Sequence, residues 1–168
     1  LAFDLLVVTG ERTRDYFREK GLPTEVVHKG FSPAHFRSEG HSRTLSMVMY
    51  GQEYLSRRLA RQALERAGIP IYNVRADFTS LSSELNRSVA ALSCTLDGRT
   101  IGGKALRPLV RQFPQLLIRT LPGPEPMLKL FESSASGCAT FVDWVPDLEP
   151  LGFVDGETAV IFRSIEEL

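Results

Sequence analysis

The chain has 168 residues, of which 43% are hydrophobic and 24% charged, a composition typical of one globular domain with at most a small appendage. Its 20 Lys and Arg residues balance 20 Asp and Glu residues, so charge gives no reason to expect nucleic acid or an acidic membrane as a partner. No apolar run approaches the roughly 18 residues of a membrane span. The composition therefore predicts a globular protein without a transmembrane segment.

The apolar pattern alternates between strands and helices along the chain. Short apolar runs predict strands near 4–9, 25–28, 45–50, 69–74, 89–95, 139–143 and 159–162, with a further extended segment at 116–118. Apolar residues at helical spacing predict helices near 11–20, 54–67, 80–86, 104–113 and 127–136. This alternation predicts an α/β fold: a Rossmann-like, mainly parallel sheet with helices on both faces.

A polar segment, residues 34–43, separates the first strand–helix–strand unit from the remainder. We expect residues 1–40 to be a βαβ crossover segment from a preceding domain, and residues 41–168 to be the main Rossmann-like domain. The chain opens at Leu1 directly on a strand and closes at Leu168 where a helix begins. We therefore expect the chain to be a piece of a longer polypeptide or a truncated reading frame, with the main domain truncated at its C-terminus.

The cysteines and histidines form no recognisable disulfide or metal pattern. Cys94 and Cys138 each lie in an apolar or small-residue run, which predicts reduced, buried thiols in a cytoplasmic protein. His28, His35 and His41 stand in a loop-like region with no cysteine nearby, so we predict no zinc site. The carboxylates after residue 142 show no spacing that marks an acid–base pair, so we assign no catalytic residue.

The junction between the strand 45–50 and the following helix is the first candidate site. Gly51 ends the strand, and the free N–H groups of the helix start could bind a phosphate. Arg57 and Arg58 lie in the first turns of that helix, where a guanidinium could donate several hydrogen bonds to the same phosphate. The alternative is a simple tight turn at Gly51 followed by two solvated arginines.

The helix near 127–136 is the second candidate site. Glu132 lies beside its buried stripe, where a carboxylate could accept hydrogen bonds from the two hydroxyls of a ribose. An ion pair with Lys129, three residues earlier, is the alternative that spacing alone favours. The third candidate site is the loop Gly102-Gly103-Lys104 together with Arg107, which could bind a phosphate. It lacks the spacing of a P-loop, so we interpret it as a solvated loop and helix start.

Two tracts of the chain resemble GT-B glycosyltransferases. Residues 3–36, with Val26-Val27-His28-Lys29-Gly30-Phe31, resemble the crossover into the donor-binding domain. Residues 130–143, with Phe131-Glu132-Ser133-Ser134-Ala135-Ser136-Gly137 and a final Asp143, resemble the family's Phe-Glu-Ala-x-Ala-x-Gly segment, and the tail through residue 168 continues in the same order. The nearest likeness is to group-1-like enzymes of the CgeB spore-maturation type.

The resemblance implies the C-terminal half of a GT-B architecture, with a nucleotide-diphosphate sugar as donor and a sugar, lipid or protein as acceptor. It implies no metal or other cofactor. By position in the family pattern, Gly51 with Arg57 and Arg58 would lie near the diphosphate. Glu132 would bind the nucleotide ribose, and Gly137 belongs to the same motif.

The chain departs from the family pattern near its second motif. Retaining members often carry two glutamates with seven residues between them, whereas six residues separate Glu125 from Glu132. Lys129 and Leu130 replace the usual Arg or Gly before Phe-Glu. Two other functions stay open: a sugar-nucleotide epimerase on the same scaffold, and a non-catalytic fragment that binds a nucleotide or a partner protein.

Overall fold

A computed structural model of the chain describes residues 4–51, 55–94 and 126–168. The predicted helix at 104–113, the extended segment at 116–118 and the glycine-containing loop before them lie outside the described residues, as does Glu125. None of the helices in the described ranges combines the length and apolar character needed to cross a bilayer.

Each element predicted within these ranges is present, with bounds that differ from the prediction by at most two residues. The strands are β1 (Leu6–Val8), β2 (Thr24–Val26), β3 (Leu45–Tyr50), β4 (Ile71–Val74), β5 (Ser88–Ser93), β6 (Ala139–Asp143) and β7 (Val160–Phe162). The helices are α1 (Glu11–Arg18), α2 (Leu55–Arg66), α3 (Phe78–Asn86) and α4 (Leu128–Ala135), with a short 3₁₀ turn at Glu149–Leu151.

Five strands form one parallel sheet in the order β4-β3-β5-β6-β7. β1 and β2 form a separate parallel pair, in which Leu6 lies opposite Thr24. Helices follow the parallel strands because a parallel connection needs a crossover. The structure thus confirms the predicted Rossmann-like α/β class.

The central part of the five-stranded sheet is buried on both faces. On one face Met47 and Met49 of β3 pack with Leu64 of α2. On the other face Val48 of β3 packs with Leu85 of α3, and Leu130 of α4 packs with Val142 in an adjoining cluster. Apolar residues on both faces explain why these strands are continuous apolar runs rather than alternating ones.

The segment 34–43, predicted to be a polar linker, is anchored to the main domain. Phe36 is only 1% exposed and packs in the same cluster as Leu85. The Asn86 amide donates to the Arg37 carbonyl and accepts from the Glu39 N–H. One aromatic side chain and one buried amide therefore hold a segment whose average composition is that of a loop.

The carboxyl ends of the two sheets meet. Glu11, just beyond β1, donates its backbone N–H to Oδ2 of Asp147, which lies beyond β6, at 3.1 Å. Lys29, beyond β2, donates to the carbonyl of Pro126 at 3.2 Å, shortly before α4 begins. These two hydrogen bonds thus connect the β1–β2 pair to the large sheet at the carboxyl ends of the large sheet's strands.

The sheet order reverses between β3 and β5, since β4 lies on one side of β3 and β5 on the other. In open α/β sheets, ligands bind outside the carboxyl ends of the strands at this switch point. Tyr50 and Gly51 stand there, at the end of β3.

Candidate functional site

Tyr50 joins the two predicted candidate sites. Its side chain is 5% exposed, and its hydroxyl lies 2.9 Å from both Glu132 Oε2 and the Lys129 carbonyl, to which it can donate. Its carbonyl accepts hydrogen bonds from Arg57 Nη1, at 2.9 Å, and from Lys129 Nζ. The last residue of β3 therefore contacts the starts of both α2 and α4.

Glu132 is a buried carboxylate, 6% exposed, in the middle of α4. Leu130 and Ser133 are fully buried on the same helix and turn that face toward the sheet, which brings Glu132 over the end of β3. The Tyr50 hydroxyl contacts one of its two carboxylate oxygens, Oε2.

The alternative that spacing favoured, a Lys129–Glu132 ion pair, is wrong for the described part of the chain. Lys129 Nζ turns away to the Tyr50 carbonyl and lies 5.2 Å from the centroid of the Tyr50 ring. The carbonyl and the electron-rich face of the ring both attract the ammonium. Only the packing of α4 on β3 offers these groups to Lys129.

Gly51 stands at the end of β3, as predicted, and has φ +80°, in the left-handed region. A Cβ at this position would lie 3.0 Å from Lys129 Cε and closer still to Nζ. The positive φ favours glycine because L-residues are strained there, and a larger residue would also have to displace the end of the lysine side chain. The tight turn and the close approach of a cation therefore occur together.

The two neighbouring arginines have opposite environments. Arg57 is fully buried and shares the inner side of α2 with the buried Ala60 and Leu64. Arg58 is exposed. The interpretation of both as a solvated pair is therefore wrong for Arg57, and contact of Arg58 with a phosphate stays a prediction.

Gly137 does not belong to this site. It follows α4 with φ +77°, just before β6 begins, and so lies at the amino end of the sheet. A Cβ on Gly137 would be 2.7 Å from Arg43 Nη2 and 3.0 Å from Ser38 Oγ, both of which precede β3. The sequence prediction took the two residues as one motif, but Gly137 stands just before the amino end of β6, whereas Glu132 contacts Tyr50 at the carboxyl end of β3. Gly137 is a helix terminator packed against Arg43.

Burial sets the protonation states around Tyr50. It raises the pKa of the Tyr50 hydroxyl, and the charge of Glu132 raises it further, so Tyr50 stays a proton donor. Burial also lowers the pKa of Lys129 to about 8, and the nearby charge of Arg57 lowers it further while Glu132 opposes the shift. The lysine is therefore charged at neutral pH but has little margin.

A buried thiol and a carboxylate lie on the α2 side of the same edge. Burial raises the pKa of Cys94, the charge of Asp143 raises it further, and Arg57 acts in the opposite direction. Asp143 is 2% exposed at the end of β6. The positive charge of the buried Arg57 thus acts on buried groups such as the Cys94 thiol.

Sequence reasoning missed Tyr50, which it treated only as the end of a strand. The available signal was an aromatic residue with a polar tip at the end of an apolar run, since a buried Tyr hydroxyl usually finds a partner. In the described ranges, no cluster of three or more His, Cys, Asp or Glu side chains is placed to hold a metal ion.

Comparisons with protein-family models, with curated proteins and with solved structures find no significant match to this chain.

Proposed function

We propose that the chain is the donor-binding part of a glycosyltransferase that uses a nucleotide-diphosphate sugar. The observation that supports this best is Glu132, a buried carboxylate held by a neutral hydroxyl at the switch-point edge of a parallel sheet. A buried charge is costly unless it is satisfied. A bound ligand would offset this cost by completing the hydrogen bonds of the Glu132 carboxylate.

Glu132 fits the ribose of a nucleotide. Oε2 accepts from Tyr50, and in this proposal Oε1 accepts a ligand hydroxyl. Hydrogen bonds to a charged group contribute roughly 1.5–3 kcal/mol each. The ribose is thus recognised by a carboxylate whose position is set by Tyr50.

The diphosphate lies, in this proposal, on the Gly51 side of Tyr50, where Arg57 and Lys129 meet the carbonyl. The transferred sugar then points toward the β1–β2 pair, whose carboxyl ends face the same edge through Glu11 and Lys29. Catalysis on this side consists of positioning the donor and stabilising the departing diphosphate electrostatically. Acceptor-side residues stay unassigned.

We further propose a cytoplasmic location. Cys94 and Cys138 are both free and buried, as predicted from their apolar surroundings. Free thiols persist in a reducing compartment. The proposal names the acceptor only as a class, a sugar, a lipid or a protein, and assigns no residues to its binding.

Calorimetric titration with UDP and GDP tests the function. We expect one of them to bind, and Glu132→Gln to weaken it by about tenfold or more, because the variant keeps the shape and loses the charge. Glu25→Gln, an exposed carboxylate on β2, removes the same charge elsewhere and serves as the control. No binding of either nucleotide, or equal affinity in the Glu132 and Glu25 variants, would contradict the proposal.

Product analysis separates this function from its two alternatives. With a bound donor, an epimerase would convert the sugar nucleotide without any acceptor. A non-catalytic fragment would bind the nucleotide and leave it unchanged even in the longest natural form of the polypeptide. Transfer to an acceptor by that form is the result we expect.

A further inference from the structure

Two cations converge on one neutral atom at the end of β3. Arg57 Nη1 and Lys129 Nζ both donate to the Tyr50 carbonyl oxygen, so the two positive charges lie within two hydrogen-bond lengths of each other. A carbonyl carries only a partial negative charge, and like charges this close repel. Lys129 forms no ion pair with any residue that the structure describes.

The two cations differ in exposure. Arg57 is fully buried, whereas Lys129 is half-buried and Gly51 beside it is exposed. The missing side chain of Gly51 leaves the space in which the ammonium stands. Of the two cations, Lys129 is therefore the one that an anion could contact.

Tyr50 separates two kinds of group. Its backbone carbonyl holds the cations, and its hydroxyl at the other end of the side chain holds the Glu132 carboxylate. An acceptor of hydroxyl groups and a binder of anions thus stand side by side at the switch point. A nucleoside diphosphate carries its hydroxyls and its phosphates in the same adjacent arrangement.

We propose that Lys129 is the residue that contacts the diphosphate, with Arg57 buried beneath it, and that its ammonium leaves the Tyr50 carbonyl for a phosphate oxygen when the donor binds. The proposal rests on the donor-binding function and names the cation of its diphosphate subsite. Lysine suits this role as a compact charge on a flexible stem. The lowered pKa of Lys129 agrees with this role, because a bound phosphate would stabilise the charged form of the lysine.

Inorganic pyrophosphate tests the subsite without a nucleoside. In calorimetric titrations at pH 7, we expect pyrophosphate to bind the wild-type chain, and Lys129→Met to weaken it by about tenfold or more. Lys20→Met, which removes a lysine at the end of α1, is the charge-matched control and should bind like wild type. Lys129→Arg keeps the charge and should stay within about threefold of wild type.

The outcomes separate this proposal from the proposed function. Equal pyrophosphate affinity in Lys129→Met and Lys20→Met would overturn the role of Lys129, as would Lys129→Arg binding as weakly as Lys129→Met. If UDP or GDP binds and Lys129→Met leaves that affinity unchanged, the subsite is wrong and the function stands. If pyrophosphate binding depends on Lys129 while no nucleotide binds, the subsite stands and the function is wrong.

Discussion

The Tyr50 hydroxyl lies 2.9 Å from Glu132 Oε2, joining the last residue of β3 to the middle of α4 across 82 positions of sequence. Both side chains are buried, and the pKa of Tyr50 is raised by burial and by Glu132, so the hydroxyl keeps its proton. This contact gives the buried carboxylate a hydrogen-bond donor at the carboxyl end of β3. It also makes the ribose-binding proposal depend on a tyrosine as well as on the glutamate.

Tyr50→Phe should lower the free energy of unfolding by about 1–3 kcal/mol, because it removes the donor from a buried carboxylate and leaves that charge less satisfied. Urea denaturation followed by circular dichroism measures the change. Tyr72→Phe, on the exposed edge strand β4, is the control and should differ from wild type by less than about 0.5 kcal/mol. Equal stability of the two variants would show that the Tyr50–Glu132 contact contributes nothing.

A 2′-deoxy nucleotide should bind wild type more weakly than its ribose counterpart, since Glu132 loses a hydroxyl donor. In Glu132→Gln the difference between the two nucleotides should shrink, because the charged acceptor is already gone. The pair of ligands and the pair of proteins form a cycle that isolates the contact by calorimetry. The same discrimination in both proteins would place the ribose elsewhere.

Gly51→Ala and Gly68→Ala separate backbone strain from steric overlap. Both glycines have positive φ, +80° and +77°, so alanine should cost each about 1–2 kcal/mol of stability. Only Gly51 has Lys129 in the space that the new Cβ would take, whereas nothing lies within 4 Å of that space at Gly68. We therefore expect Gly51→Ala to be the more destabilising in chemical denaturation, and equal losses would show that the lysine yields without cost.

The contribution of Lys129 to the stability of the chain should rise with pH between about 8 and the ordinary pKa of lysine. The folded pKa of Lys129 is about 8, below the value of 10.5 in a model compound, because burial and Arg57 disfavour its charged form. In that window this lysine binds more protons in the unfolded chain than in the folded chain, so its contribution makes unfolding less favourable as pH increases. Below pH 8 both states are protonated, and this stabilisation is absent.

Denaturation of wild type and Lys129→Met from pH 7 to 10 measures this effect. The groups facing Lys129 are Arg57 from α2, Tyr50 from β3 and Glu132 on its own helix, and all three are common to both proteins. The stability of wild type relative to the variant should therefore increase with pH. A constant difference would mean that the lysine titrates as it does in water.

Local pattern was sufficient for the elements and the fold class. The runs at 45–50 and 139–143 have the predicted bounds because a fully buried parallel strand is apolar on both faces, and that feature is visible in the sequence. Gly51 was recognised for a similar reason: the end of a strand before a helix needs a residue that can turn. Such features depend on neighbours in the chain.

The candidate site was decided by packing between distant elements. Arg57 and Arg58 are adjacent, yet one is fully buried and the other exposed, because successive helix residues differ by about 100° and only the sheet determines which side of α2 faces inward. Lys129 and Glu132 have the spacing of an ion pair, but β3 supplies a carbonyl to one and a hydroxyl to the other. Gly137 follows α4 just before the amino end of β6, whereas Tyr50 lies at the carboxyl end of β3. Composition and periodicity specify which residues are buried, whereas the partners of buried polar groups depend on contacts that exist only after the strands have assembled.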